Sequence, residues 1–163
     1  MTARSIDLPG CVKPDTTERV HFYENDFYPF SNFSCFSIRW FAKTFAASEY
    51  VYHWEKFIRT APEIATAIEF APSAHEAFKL AERHKELRRK DWNTVKVDVM
   101  RQILRAKVDQ HEYVRRKLLQ TGDRELVEDS WRDSFWGWGP QRDGLNMLGK
   151  LWMELRSALR EST

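Results

Sequence analysis

Ten residues, Trp131-Arg132-Asp133-Ser134-Phe135-Trp136-Gly137-Trp138-Gly139-Pro140, hold three of the chain's seven tryptophans and two of its six glycines. Aromatic side chains at this density would ordinarily mark a core strand or helix. Glycine costs a regular element backbone entropy, and proline removes a donor and clashes inside a helix. The stretch is therefore expected as an ordered loop. Four of the six glycines (Gly137, Gly139, Gly144 and Gly149) fall within thirteen positions. The flat rings of such a loop must lie against something. With the carboxylate of Asp133 among them, they suit a pocket wall that stacks on a planar ligand. They equally suit a lid folded onto the core, and the loop alone leaves both readings open.

At 163 residues and 42% apolar composition the chain is long and apolar enough for one globular domain with a sizeable core. Residues 1–18, polar and with two prolines, read as a loose leader, and residues 19–163 as the domain. The net charge of +2 says little, but between Arg83 and Arg124 basic residues exceed acidic ones by seven. An anionic ligand or nucleic acid can use that field, although most of these side chains suit a solvated pair of helices. Cys11 and Cys35 have no paired spacing, so neither a metal motif nor a disulfide framework is implied. No apolar run is long enough to span a membrane, and no hydrophobic signal core opens the chain. The expectation is a cytoplasmic protein with reduced thiols.

Short strands are expected at Val20–Tyr23, stopped by Glu24-Asn25-Asp26, and at Ser37–Trp40, paired with Ala42–Phe45 or with the first strand. Helices dominate the rest. Ser48 is positioned to cap a helix running to about Arg59. Pro62 suits the first position of the next helix, which ends near Ala71. Ser73 and Glu76 form a capping box for a helix through Arg83. Asp91 is placed to cap a longer helix that buries Val95, Val99, Ile103 and Leu104. A helix over Glu112–Gln120 ends at Gly122, a left-handed stop. Leu126-Val127 reads as a further short strand. The last helix, Leu145 to about Arg160, has Leu145, Leu148, Trp152, Leu155 and Leu159 on one stripe. The fold class is mainly α, one compact domain with a few short strands near the N-terminal third.

Three constellations can carry chemistry. Glu49, His53 and Lys56 stack on one helix face, apart from the apolar face of Tyr50, Trp54 and Phe57. They form either an exposed charge stripe, which spacing alone favours, or an acid–base set with a lysine nucleophile. Glu128, Asp129 and Asp133 offer loop carboxylates for glycoside-type hydrolysis, in which paired acids serve the leaving group and the cationic carbon. Arg88-Arg89-Lys90-Asp91-Trp92 places cations just before a helix N-terminus, an arrangement suited to phosphate, with Trp92 available to stack.

In order and spacing these pieces resemble the NADAR (YbiA-like) superfamily from Phe22 to Leu155. The landmarks are Phe22-Tyr23, Phe30-Ser31-Asn32-Phe33, Ser48-Glu49, Lys56-Phe57, Leu87 to Trp92, Val99-Met100 and Leu126-Val127-Glu128. They continue with Asp133, Trp136-Gly137, Gly139, Asn146, Leu148-Gly149, Met153 and Leu155-Arg156. The resemblance implies an N-glycosidase acting on a ribosylated base. That base is either ADP-ribosylated guanine or a phosphorylated ribosylaminopyrimidine of riboflavin synthesis. It implies a site at Glu49, Trp92, Asp133 and Trp136 lined by Lys56 among others, with Glu49, Asp133 and Lys56 expected as the catalytic residues. Asn32, Phe33, Arg83, Arg88, Trp92, Trp136, Gly137 and Asn146 are implied to bind substrate. No metal, cofactor, membrane or obligate protein partner is implied. The ligand is an ADP-ribose-type molecule or ribosylated base, free or carried on nucleic acid. The chain departs from the family pattern at Tyr50 and His53, where His and Gln are usual. A module that binds ADP-ribose or a nucleotide without cleaving it is the rival reading. A single-strand binder using the basic segment is a third.

Overall fold

The computed structural model describes residues 15–23 and 28–162. Most of the expected leader, Cys11 and the Glu24-Asn25-Asp26 stop lie outside them. The described residues are mainly α-helical, with six helices and four short strands. They fall into two units: Met1–Ser31 with Gln120–Thr163, and Asn32–Leu119.

In the first unit, β1 (Arg19–Phe22) pairs in parallel with β4 (Glu125–Glu128), Val20 opposite Leu126 and Phe22 opposite Glu128. Val20, Phe22, Leu126 and Val127 are fully buried, as parallel strands covered on both faces require. Against β4 lies α6 (Met147–Glu161), presenting Leu148, Leu151, Trp152, Leu155 and Leu159. The helix comes very close. A Cβ on Gly149 would stand 2.0 Å from the Leu126 carbonyl oxygen, so only glycine fits that crossing. The Trp152 indole N–H donates to the Phe30 carbonyl at 3.0 Å, satisfying the one polar atom of a buried ring. The helix starts two residues later than its apolar stripe suggests. Leu145 is 52% exposed and belongs to the loop, because its N–H donates to Ser134 rather than entering a helical turn.

The second unit begins with a hairpin of β2 (Ile38–Trp40) and β3 (Lys43–Phe45), antiparallel with Ile38 opposite Phe45. Its turn places Phe41 at φ 51° with 82% of its surface exposed. The helices of this unit are α1 (Ser48–Glu55), α2 (Pro62–Glu69), α3 (Ala74–Arg83), α4 (Trp92–Gln110) and α5 (Glu112–Gln120). Packed against α2, α3, α4 and the hairpin, α1 has all eight residues buried.

Three expectations about helix ends are corrected. Ser48 does not cap α1: Ala47 holds the cap position, and the Glu49 N–H donates to the Asn32 carbonyl instead. The helix also stops at Glu55, short of Arg59. The Lys56 carbonyl accepts from the Arg89 N–H at 2.8 Å while Thr60 turns its own N–H to Phe57, so the helical ladder is diverted into tight turns. Asp91 sits at the start of α4, but its carboxylate is taken by Arg89 at 2.6 and 2.8 Å and caps nothing. The Ser73 cap is formed, its Oγ accepting from the Glu76 N–H at 3.1 Å. In α4, Ile103 and Leu104 are buried as expected and Val95 and Val99 are half-buried. Lys107 is also fully buried, its amine donating to Ser34 Oγ at 2.8 Å. Gly122 ends α5 at φ 61°.

Candidate active site

The charged stripe of α1 is not solvated. Glu49, His53 and Lys56 are 7%, 2% and 6% exposed. A buried carboxylate needs a donor, and one helical turn on, His53 Nε2 lies 2.6 Å from Glu49 Oε1. Burial holds the His53 pKa below the ordinary histidine value, opposed by the charge and hydrogen bond of Glu49. The Lys56 amine points into an aromatic box, 4.8 Å from the Tyr52 ring centre and 5.6 Å from that of Trp92. Those π faces favour an ammonium, but desolvation is larger. Burial pushes the Lys56 amine down to about 8, with Arg88 and Lys96 adding to the fall and Glu49 and Glu82 opposing it. The helix therefore carries a carboxylate, an imidazole and a lysine that is part neutral near pH 8.

The elements around α1 fix this set. Asn32 is buried and its carbonyl accepts the Glu49 N–H at 3.0 Å, so the turn before β2 anchors the first turn of the helix. The Asn32 Nδ2 reaches only the Met100 sulfur, at 3.5 Å. Phe33 lies 4.8 Å from the His75 ring at the start of α3. From α4, Trp92 is buried and meets Tyr52 edge to face at 4.9 Å. The bond from Arg89 to the Lys56 carbonyl brings the basic run to the end of α1. Arg88 acts on Lys56 through its charge, whereas Arg89 is spent on Asp91. Arg83 is exposed at the end of α3, and the α3 charge felt at Lys56 is that of its neighbour Glu82.

Three buried polar atoms here have no hydrogen-bond partner among the described residues: Asn32 Oδ1, Ser48 Oγ and His53 Nδ1. They belong to the residue that anchors Glu49, the residue before it and the residue bonded to it. Buried polar groups are normally paired, so these three are exceptions around the first turn of α1.

The tryptophan loop of the first unit is arranged differently. Asp133 Oδ1 accepts from the Phe135 and Trp136 N–H groups, both at 2.8 Å, and its own N–H donates to Ser130 Oγ. Trp136 is half-buried and meets Phe135 edge to face at 5.0 Å. The Gly137 N–H donates to the Asp133 carbonyl, and the Gly137 carbonyl accepts from Asn146. Asn146, at φ 50°, uses its side-chain amide like a strand backbone: Oδ1 accepts from the Glu128 N–H at 3.0 Å and Nδ2 donates to the Leu126 carbonyl at 2.8 Å. The N–H groups of Asn146, Met147 and Leu148 donate to Gly137, Phe135 and Trp136. Three N–H groups at the start of α6 are thereby bonded to the loop.

Sequence reasoning placed Glu49, Lys56, Trp92, Asn32 and Arg88 in the candidate set, and the second unit brings them around one helix. It missed Tyr52, Glu82 and Lys96. Two of these carried a signal, since Tyr52 is one turn before Lys56 and Lys96 one turn after Trp92. Among the described residues no group of three or more His, Cys, Asp or Glu side chains is arranged to hold a metal. No described helix is long and apolar enough to cross a membrane.

The NADAR domain family matches residues 21–160. Over 148 residues the chain is 36% identical to the N-glycosidase YbiA of Escherichia coli, with 91% of each protein covered. It is 36% identical over 146 residues to a riboflavin biosynthesis protein of Vibrio vulnificus. That match covers 87% of this chain and 39% of the longer protein. The NMR structure of the E. coli protein YbiA matches with a TM-score of 0.81 at 35% identity, over 89% of this chain and 86% of that one.

Proposed function

This chain belongs to the NADAR family and is an N-glycosidase, and on that premise we propose that it cleaves the bond between a base nitrogen and C1′ of a phosphorylated ribose. The observation that carries this is the buried Glu49–His53–Lys56 set beside Arg88 and Lys96. Cleavage leaves positive charge at C1′ as the base departs, and a carboxylate held in a dry site stabilises it. Glu49 is the acid–base group of the second unit, and Asp133 of the first unit is a separate carboxylate whose part in the reaction the assay below tests. Arg88 and Lys96, with Arg83, hold phosphate. Asn32 and Phe33 line the α1 set, and Trp136, Gly137 and Asn146 are the substrate-binding candidates of the first unit. The name of the Vibrio vulnificus relative favours a ribosylaminopyrimidine phosphate as one substrate. ADP-ribosylated guanine presents the same bond.

Lys56 has two possible roles. As an ammonium it orients Glu49 and attracts phosphate. As a neutral amine it attacks C1′, and the C1′–base electron pair leaves with the base, which takes a proton. The lysine nitrogen then gives up a proton and the C1′–O4′ pair moves to O4′, which is protonated. The resulting iminium is hydrolysed to the open-chain aldehyde sugar and free lysine. With the amine at about 8, roughly a tenth is neutral at pH 7. The covalent route therefore gives a rate that climbs with pH to about 8, and an adduct that borohydride traps in wild type but not in Lys56→Ala. A flat profile with no adduct assigns Lys56 to the electrostatic role.

The deciding experiment incubates the protein with ADP-ribosylated guanosine and, separately, with the ribosylaminopyrimidine phosphate. Release of free base is followed by chromatography. Wild type releases base from at least one, and Glu49→Gln is slower by about 10³-fold. A Glu49→Gln variant with near-normal turnover removes Glu49 from the reaction. Asp133→Asn tests the loop carboxylate in the same assay.

A further inference from the structure

We propose that His53 is a positioning residue of this reaction: its neutral ring donates Nε2–H to Glu49 Oε1, fixing which carboxylate oxygen is left for substrate. The inference rests on the reading of Glu49 as the reacting carboxylate.

Geometry carries the argument. His53 Nε2 and Glu49 Oε1 are 2.6 Å apart on successive turns of a helix that has no exposed face. This is the one side-chain hydrogen bond that Glu49 makes among the described residues, so Oε2 is left for another partner. The ring is enclosed by Tyr52 at 5.4 Å and by Phe78 of α3 at 5.7 Å, both edge to face. Its other nitrogen, Nδ1, is buried and unpartnered. A proton on Nδ1 would bury a donor with no acceptor, while a proton on Nε2 meets a carboxylate at short range. The Nε2–H tautomer is therefore the one this packing selects.

The charges facing the ring are mixed. Glu49 and, from α3, Glu82 favour the imidazolium; Lys56 opposes it. Arg88 and, on α4, Lys96 add positive charge on the Lys56 side. Burial is the largest influence and keeps the ring neutral. A neutral donor suits the task better than a cation would. It orients the carboxylate without neutralising the charge that must meet C1′.

The first test needs no substrate. Long-range ¹⁵N–¹H NMR of the imidazole nitrogens in the full chain reports tautomer and titration directly. The expected result at pH 7 is a neutral Nε2–H ring for His53, with a midpoint that falls further in Glu49→Gln because the favouring charge is gone. An Nδ1–H ring, or a midpoint indifferent to Glu49→Gln, overturns the proposal. The second test uses whichever of the two probe substrates wild type cleaves. His53→Leu removes the donor, and His53→Gln keeps an N–H in its place. His53→Leu is expected to lose about thirtyfold in kcat with KM changed less than about threefold. His53→Gln recovers at least about tenfold of that loss. Equal losses in the two variants would reduce the ring to packing and sink the proposal. If His53→Leu does not fold, His53→Gln and the NMR arm still decide. Activity in Glu49→Gln defeats the reading of Glu49. An inactive Glu49→Gln beside a fully active His53→Leu defeats only the role of His53.

Discussion

The first turn of α1 and the tryptophan loop both hold a carboxylate among aromatic rings, yet Asp133 and Glu49 are bonded to different kinds of partner. In the loop, Asp133 caps two backbone N–H groups, Asn146 stitches two positions of β4, and the glycine and tryptophan carbonyls close the end of α6. Around Glu49, by contrast, Asn32, Ser48 and His53 each keep a buried atom without a hydrogen-bond partner among the described residues. Satisfied polar groups stabilise a shape, whereas unsatisfied ones cost stability and persist where a ligand completes them. The loop's polar groups hold its own backbone together, whereas the proposed reaction draws on the polar groups of α1.

Substitutions can break or sharpen that contrast. The largest expected effect is on the loop side. Gly149→Ala drives a methyl into the Leu126 carbonyl and should cost ~3 kcal/mol, seen as a melting temperature lower by ~10 °C. Next is Asn146→Ala, which unpairs the Glu128 N–H and the Leu126 carbonyl and leaves alanine in a left-handed conformation. A loss of ~2 kcal/mol in denaturant titration is expected. Little change in Gly149→Ala would dissolve the close α6–β4 crossing, and little change in Asn146→Ala the claim that Asn146 holds the loop to β4.

Lys107 gives a smaller, pH-dependent effect. Burial pushes its amine down to about 7 from 10.5 in the unfolded chain. Between those values the unfolded state binds more protons, so its contribution to stability rises with pH across that window. Lys107→Met should flatten the rise in melting temperature between pH 7 and pH 9. An unchanged slope would mean that another group supplies it. The smallest effect on stability belongs to Ser48→Ala. Removing an unpaired buried hydroxyl should leave stability within about 1 kcal/mol of wild type, or raise it. If the hydroxyl awaits substrate, KM should rise in the same variant. A destabilised Ser48→Ala with normal KM would place Ser48 with the scaffold.

The sequence exposed the loop more readily than the helix. Glycine and proline announce broken regularity wherever they occur, so the loop, the Gly122 stop and the Ser73 cap were legible from local chemistry. The burial of α1 was not. Glu49, His53 and Lys56 at helical spacing look like a solvated stripe, because what covers them comes from Tyr52 on the same helix, Phe78 of α3 and Trp92 of α4. Ser48 looked like a cap because nothing local shows that the Asn32 carbonyl takes the next N–H. Lys107 was hidden in a basic run for the same reason, since its partner Ser34 lies far back along the chain. Resemblance to a family recovered part of what local chemistry could not, since it singled out Glu49 and Lys56 from the other charges.

The bonds from Leu145, Asn146, Met147 and Leu148 back to Ser134, Gly137, Phe135 and Trp136 also set a rule about length. Each joins a fixed residue before the turn to a fixed residue after it, and Gly144 is pressed within 2.6–2.7 Å, measured from where its Cβ would stand, of three carbonyl oxygens. One added or deleted residue would put every later donor opposite the wrong carbonyl. This segment can trade side chains, and with them its choice of ligand, while its residue count stays locked.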